Sequence, residues 1–347
     1  MTGKKWLLRL AAPLAVAVVA IGAVGCGGDD EGDGGEATSD VSVAFVSDTG
    51  GVNDRGFNEF TLAGVEQAAD ELGLEMRTYI SKTEDDYVPN LTAAAEDHDL
   101  VVATGFLITP SVVEVAAEFP DTSFMGVDHF YGGEGCEKAG TCALPNAMGL
   151  IYPSEEPGYL AGIVAGMMTE SNTVSSVGGI KIPSVDNWIA GYQFGVKEVN
   201  PDAKTLNAYS ASFTDQAKCN EIALDQISQG ADVIFQVAGD CGLAAIDAAC
   251  EAGKFAIGVD ADQAEQGECV VTSGLKPLQS SVFTTIENFT KGEFQGGQNV
   301  TFGVADLPDA ELLAPFSDDV PQEVQDAVAD GLEKLKSGEV DPPSTLG

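Results

Sequence analysis

The chain has 347 residues, with 55 acidic against 16 basic side chains and a formal net charge of −39. That charge repels nucleic acid and anionic membrane surfaces, which excludes both as electrostatic partners. With two histidines and no CxxC pair, a histidine-based metal site or a Ser-His-Asp triad has almost nothing to draw on.

At the N-terminus, Lys4, Lys5 and Arg9 precede an apolar run from Leu14 to Val24. The run is shorter than the ~20 residues a spanning helix needs and reads as a secretion signal. Its end, Ala23-Val24-Gly25-Cys26, resembles the lipobox of bacterial lipoproteins, although Leu is commoner where Ala23 stands. The resemblance implies that residues 1–25 are removed and that the Cys26 thiol takes a diacylglycerol, which puts the body on the extracytoplasmic face of the cell membrane. Residues 27–40, GGDDEGDGGEATSD, carry six acidic groups, five glycines and no large apolar side chain. Such a stretch cannot bury enough surface to fold, and 26–40 is expected to be a lipidated tether.

The body opens with Val43-Ala44-Phe45-Val46, a core strand whose carboxyl end runs through Asp48 into a turn with Gly50 and Gly51. Asp54 and Asn58 bracket a helix start, from which Leu62, Val65, Ala69 and Leu72 recur at helical spacing. Phe57 then stands near the mouth of a cleft, since ligands in open α/β sheets bind at the carboxyl ends of the strands. From there strand and helix alternate. Strands LEMRTYIS, DLVVATG, TSFMGVDH and NAMGLIYP are separated by helices around 57–72, 85–97 and 110–118 and by a Gly-rich loop with Cys136 and Cys142. After Pro153 the rhythm restarts, with helices at 157–170, 185–199, 215–229 and 241–252 between strands TVSSVGGI, AKTLNAYS, DVIFQVAG, KFAIGVD and CVVTSG.

Two successive units of this kind predict an α/β protein with two Rossmann-like lobes of parallel sheet. A helix over 277–291, a strand NVTFGVADL and a last helix over 321–337 make the chain cross between the lobes again. The expected division is 41–152 plus 277–305 for one lobe and 153–276 plus 306–347 for the other, joined by a hinge of several crossings that closes on a ligand.

Six cysteines remain after Cys26, an even number suited to disulfides in an oxidising compartment. Cys136 and Cys142 are expected to staple their own loop. Cys219–Cys241 and Cys250–Cys269 are favoured for the rest, although sequence alone does not choose among the pairings.

The strand ends carry further polar residues: Asp128, Gly239 with Asp240, Asp260 and Lys276. Each alone reads as a cap or turn residue; gathered in one interlobe cleft they would form a site. With Asp48 through Asn58, Glu156 through Gly162, Trp188 with Gly191-Tyr192, Ser212-Phe213-Thr-Asp215, Ala238-Gly239, Val259-Asp260 and Ser273 through Lys276, the chain from 41 to 345 resembles the basic membrane protein family of lipoproteins, the purine nucleoside receptor type.

The resemblance implies a type I periplasmic-binding fold, capture of a nucleoside, delivery to an ABC permease with its ATPase, and no cofactor; the receptor itself is expected to be a monomer. Carried over by position, Asp48, Phe57, Asn58 and Asp128 would form one wall, and Trp188, Gly239, Asp260 and Lys276 the other. Trp188 stands where Phe is usual and Arg55-Gly56 where Lys-Ser is common, so the base preference is left open, as is a riboflavin-like or sugar-like ligand.

The chemistry is consistent with a nucleoside. A flat base stacks between Phe57 and Trp188, with Phe213 in reserve, and ribose hydroxyls donate to Asp128 and Asp260. A nucleoside-cleaving enzyme is the first rival. Asp48 and Asp54 have roughly the separation of a calcium-bound hydrolase, but Arg55 follows where another aspartate is needed. A sensor using the same cleft is the second.

Overall fold

The computed structural model describes residues 41–131 and 144–347. Cys26, the tether and the loop of Cys136 and Cys142 lie outside the described residues.

Short runs of aliphatic side chains make the central strands. Leu100–Thr104 (β3) is buried at all five positions and Val233–Val237 (β8) likewise, the pattern of parallel strands covered by helices on both faces. Burial of each such side chain contributes roughly 1.5–3 kcal/mol. The first half holds β1 (Ser42–Val46), α1 (Phe57–Leu72), β2 (Glu75–Tyr79), α2 (Tyr87–Asp97), β3, α3 (Thr109–Glu118), β4 (Ser123–Val127) and β5 (Ala147–Ile151). The second holds α4 (Glu155–Met168), β6 (Thr173–Gly178), α5 (Pro183–Val199), β7 (Lys204–Tyr209), α6 (Gln216–Ser228), β8, α7 (Gly239–Glu251), β9 (Phe255–Asp260) and β10 (Val270–Leu275).

With β11 (Gln298–Thr301) from late in the chain, the sheet orders are β11-β5-β4-β3-β1-β2 and β10-β9-β8-β6-β7, with every ladder parallel. The two orders superpose strand for strand, β1 on β6, β3 on β8, β4 on β9 and β5 on β10. Edge strands β2, β7 and β11 are polar, with no fully buried position.

The chain passes between the halves three times. After β5 it enters α4, which packs on α5 so closely that a Cβ on Gly162 would sit 2.1 Å from the Tyr192 carbonyl oxygen. After β10 it enters α8 (Leu278–Thr290), whose Val282 and Gln279 backbone press on Gly64 of α1. After β11 (Gln298–Thr301) it returns, the Leu275 amide bonding the Leu312 carbonyl at 2.9 Å and the Ala314 amide the Ser273 carbonyl at 2.8 Å. Helix α9 (Gln322–Ser337) then lays Val324, Val328 and Leu335 into the core with Tyr159, Leu160 and Ile163.

The strand expected to continue through NVTFGVADL stops at Thr301 because its neighbour β5 ends at Ile151. Phe302 makes one more bond, to the Ile151 carbonyl, and the Val304 amide turns to the Glu156 carboxylate at 2.8 Å.

Two disulfides join Cys219 to Cys241 and Cys250 to Cys269, the pairings favoured from the sequence.

Candidate ligand-binding cleft

The carboxyl ends of β1, β3 and β4 face those of β6, β8, β9 and β10 across a cleft lined from both halves, the place where small-molecule sites form in such folds. All eight positions expected from the sequence line it: Asp48, Phe57, Asn58, Asp128, Trp188, Gly239, Asp260 and Lys276.

The turn after β1 is built by carboxylates. Asp54 accepts from the amides of Gly56 (3.1 Å), Asn58 (2.9 Å) and Glu59 (3.1 Å), satisfying donors that the start of α1 leaves free. Asp48 Oδ1 accepts from the Gly50 amide at 2.7 Å and from Asn58 Nδ2 at 3.0 Å. Asn58 Nδ2 also faces Asp54 Oδ2 at 3.3 Å, so both amide hydrogens are engaged and the buried Asn58 Oδ1 has no partner. Burial pushes the Asp48 carboxyl up to about 6, against the bonds from Gly50 and Asn58.

Gly105, after β3, has φ +96, and a Cβ there would stand 2.3 Å from Asp48 Oδ2. Its carbonyl accepts from Nε2 of buried His129 at 2.7 Å, while His129 Nδ1 pairs with the Tyr131 hydroxyl. This bond joins the turn carrying Asp128 to the turn beside Asp48. Burial holds the His129 imidazole down to about 4, and it stays neutral.

From the second half comes the cation. Lys276 Nζ donates to Asp128 Oδ2 at 2.8 Å and stands 3.8 Å from Asp260 Oδ1. Aromatic faces of Phe57 (5.0 Å), Tyr152 (5.2 Å) and Trp188 (5.9 Å) surround it, distances at which ring quadrupoles stabilise an ammonium. Burial raises the Asp260 carboxyl to about 7; Lys276 opposes that rise and Asp128 adds to it.

Trp188 is only 2% exposed, its ring edge-on to Phe235. Phe213, half-buried beside Gly179 and Gly239, lines the cleft with more of its surface free. The Gly105-Phe106-Leu107 turn and Ile182, Ser184 and Val185 at the start of α5 add to the wall and were not among the site residues expected from the sequence. The rule that ligands sit at strand ends would have found Gly105 through Leu107; in Ile182 through Val185 the one polar signal is Ser184.

The profile of the Bmp family, described as "ABC transporter substrate-binding protein PnrA-like", matches residues 41–308. The chain belongs to this family. Among relatives, the Bmp-family chain is 29% identical to the ABC transporter nucleoside-binding protein BmpA of Lactococcus lactis, over 98% of this chain and 99% of that one. It is 32% identical to an uncharacterized lipoprotein of Pyrococcus furiosus, over 81% of this chain and 72% of that one. Among solved structures, an ABC transporter solute-binding protein of Aeropyrum pernix superposes with a TM-score of 0.78 at 23% identity, covering 88% of this chain and 94% of that one. That likeness shows the α/β fold with two parallel sheets. The family is one of solute-binding proteins, which take up small molecules for an ABC permease and its ATPase, and not of enzymes.

Proposed function

We propose that this chain is a lipid-anchored, extracytoplasmic receptor that closes on a purine nucleoside and presents it to an ABC importer. The observation that carries this reading is the unpartnered, buried Asn58 Oδ1 beside Asp48 in an aromatic-lined cleft. An acceptor left bare costs about 1–3 kcal/mol until a donor arrives. A base edge carrying a ring N–H and an amino group supplies such donors, as in guanine, and inosine supplies the ring N–H.

The rest of the cleft is consistent with the same molecule. Asp128 and Asp260 are acceptors for ribose hydroxyls, and Lys276 lowers the cost of holding both carboxylates there. The base would stack on Phe57. Its second face suits Phe213 better than Trp188, because Trp188 has almost no surface left to give. The carboxylates disfavour nucleotides, whose phosphate meets like charge. The halves, divided as 41–152 plus 277–305 and 153–276 plus 306–347, move as lobes, with the closed form favoured by ligand contacts from both. Cys26 carries the anchor, and the receptor works as a monomer.

Calorimetric titration of residues 40–347, unfolded and refolded to strip carried-over ligand, tests the reading with inosine, guanosine, adenosine, pyrimidine nucleosides and riboflavin. Tight one-to-one binding of a purine nucleoside is expected. Silence from every nucleoside overturns it, and mass spectrometry of what the native protein carries then names the ligand, a sugar or flavin included.

A further inference from the structure

Tyr152 and Lys276 occupy the same place in the two halves. Tyr152 follows β5 and Lys276 follows β10, strands that superpose in the two sheet orders, and both begin crossings between the halves. Their side chains meet, with Nζ 5.2 Å from the ring centroid. Phe57 also faces the ammonium, but it lines the cleft, where a bound base competes for its ring; Trp188, 2% exposed, faces it at 5.9 Å, the longest of the three contacts. Tyr152 stands behind the cleft, beside Pro153, Trp188 and Phe302, and the residue is 5% exposed. Its hydroxyl pairs with Ser281 Oγ at 2.7 Å, and Ser281 Oγ in turn donates to the Leu278 carbonyl at 3.1 Å. Phe302, on the third crossing, stacks on the ring at 5.7 Å and 23°. The ring is thus fixed by residues of all three crossings, and the cleft's cation rests on it.

We propose that Tyr152 is the positioning residue for Lys276, holding the ammonium against Asp128 and Asp260 by a cation–π contact that ligand binding does not displace, and so tying the hinge to the ligand site. The inference rests on the reading that the cleft binds a ligand through Lys276. Burial keeps the phenol well above its usual range, so the ring stays neutral throughout.

Two measurements test it, one of which needs no ligand. In the ligand-free protein, acylation of Lys276 by a succinimidyl ester is followed by peptide mass spectrometry. Tyr152→Leu is expected to speed it about fivefold or more, and Tyr152→Phe, which keeps the ring, to restore the slow rate. With inosine as probe, Tyr152→Leu is expected to raise the Kd about 5- to 30-fold and Tyr152→Phe to return most of it. In a Lys276→Met background the Leu substitution should change the Kd less than about twofold, as a double-mutant cycle requires of a residue acting through Lys276. If Tyr152→Leu does not fold, Tyr152→Met takes its place. Unchanged acylation, or an equal loss of affinity with and without Lys276, overturns the proposal and leaves Tyr152 a packing residue. If no nucleoside binds the wild type, the nucleoside reading falls, and the acylation rates still decide the role of Tyr152.

Discussion

Asp128 and Asp260 hold equivalent positions in the two halves, one just past β4 and the other closing β9, and both have left-handed backbone, with φ of 63° and 67°. Lys276 sits between them. Asn tolerates that backbone, whereas Ala is strained in it. Asp260→Asn is therefore the clean substitution. It is expected to weaken nucleoside binding about 10- to 100-fold by removing a charged acceptor. The ligand-free melting temperature should not fall, because the raised pKa shows that the buried charge is costly. Calorimetry and thermal melts check the two halves of this prediction; unchanged affinity would take Asp260 out of the site.

Acidity should act on the empty and loaded protein with opposite signs. Asp48 and Asp260 titrate at about 6 and about 7 when folded, above the ordinary carboxylate value of 3.8. Between those values the folded state binds more protons than the unfolded one, so the contribution of these two groups to ligand-free stability is largest below about 4 and is lost as pH rises to about 7, by at most about 1.4 kcal/mol per pH unit for each group. Ligand affinity runs the other way, since protonation turns charged acceptors into weaker neutral ones. Melts of the empty protein and titrations with inosine at pH 5 and pH 8 should show the crossing, and the Asp48→Asn, Asp260→Asn double variant should flatten it.

Arg55 spans the cleft mouth. Its Nη1 donates to Gln266 Oε1 at 3.0 Å, and its carbonyl accepts from Gln263 Nε2 at 3.2 Å. Because Arg55 has φ +50, Arg55→Gly removes the side chain without adding strain. Losing one exposed bond of about 1 kcal/mol is expected to speed ligand release about fivefold with little change in the association rate. Stopped-flow dissociation measures this, and an unaltered off-rate would show that the contact does not hold the closed form.

Gly105→Ala drives a methyl group toward Asp48 Oδ2 and forces a left-handed Ala. Both effects fall on the wall that carries the bare Asn58 acceptor. Binding should drop at least about tenfold, and stability by about 1–3 kcal/mol. A variant binding as tightly as the wild type would show that Asp48 moves aside without consequence.

How much of this could be read beforehand depended on where each signal resides. Strands such as β3 and β8 are mainly apolar runs, and Asp48, Asp128 and Asp260 stand at or just past strand ends, so strand order along the chain and the carboxylate cluster were visible in one dimension. Element edges were less so. The helix holding Gly239 begins at that residue, two before the expected start, so the glycine expected to end a strand instead opens α7. The Gln236–Gln263 bond at 2.7 Å and the reach of Gln263 to Arg55 had no local signature, because each needs segments distant in sequence to meet. Phe213 was noted only as an alternative, since a half-buried ring and a buried one look alike until packing is known.

Helix α7 is tied at both ends, at Cys241 to α6 and at Cys250 to the residue preceding β10. The Gly239 wall is therefore a fixed jaw, whereas among the described residues no disulfide braces the opposite wall and its Gly105–Leu107 turn. A copy of this chain folded in a reducing cytosol would have the same cleft with one jaw loosened. Its discrimination between ligands, and not only its melting point, would record the compartment in which it was made.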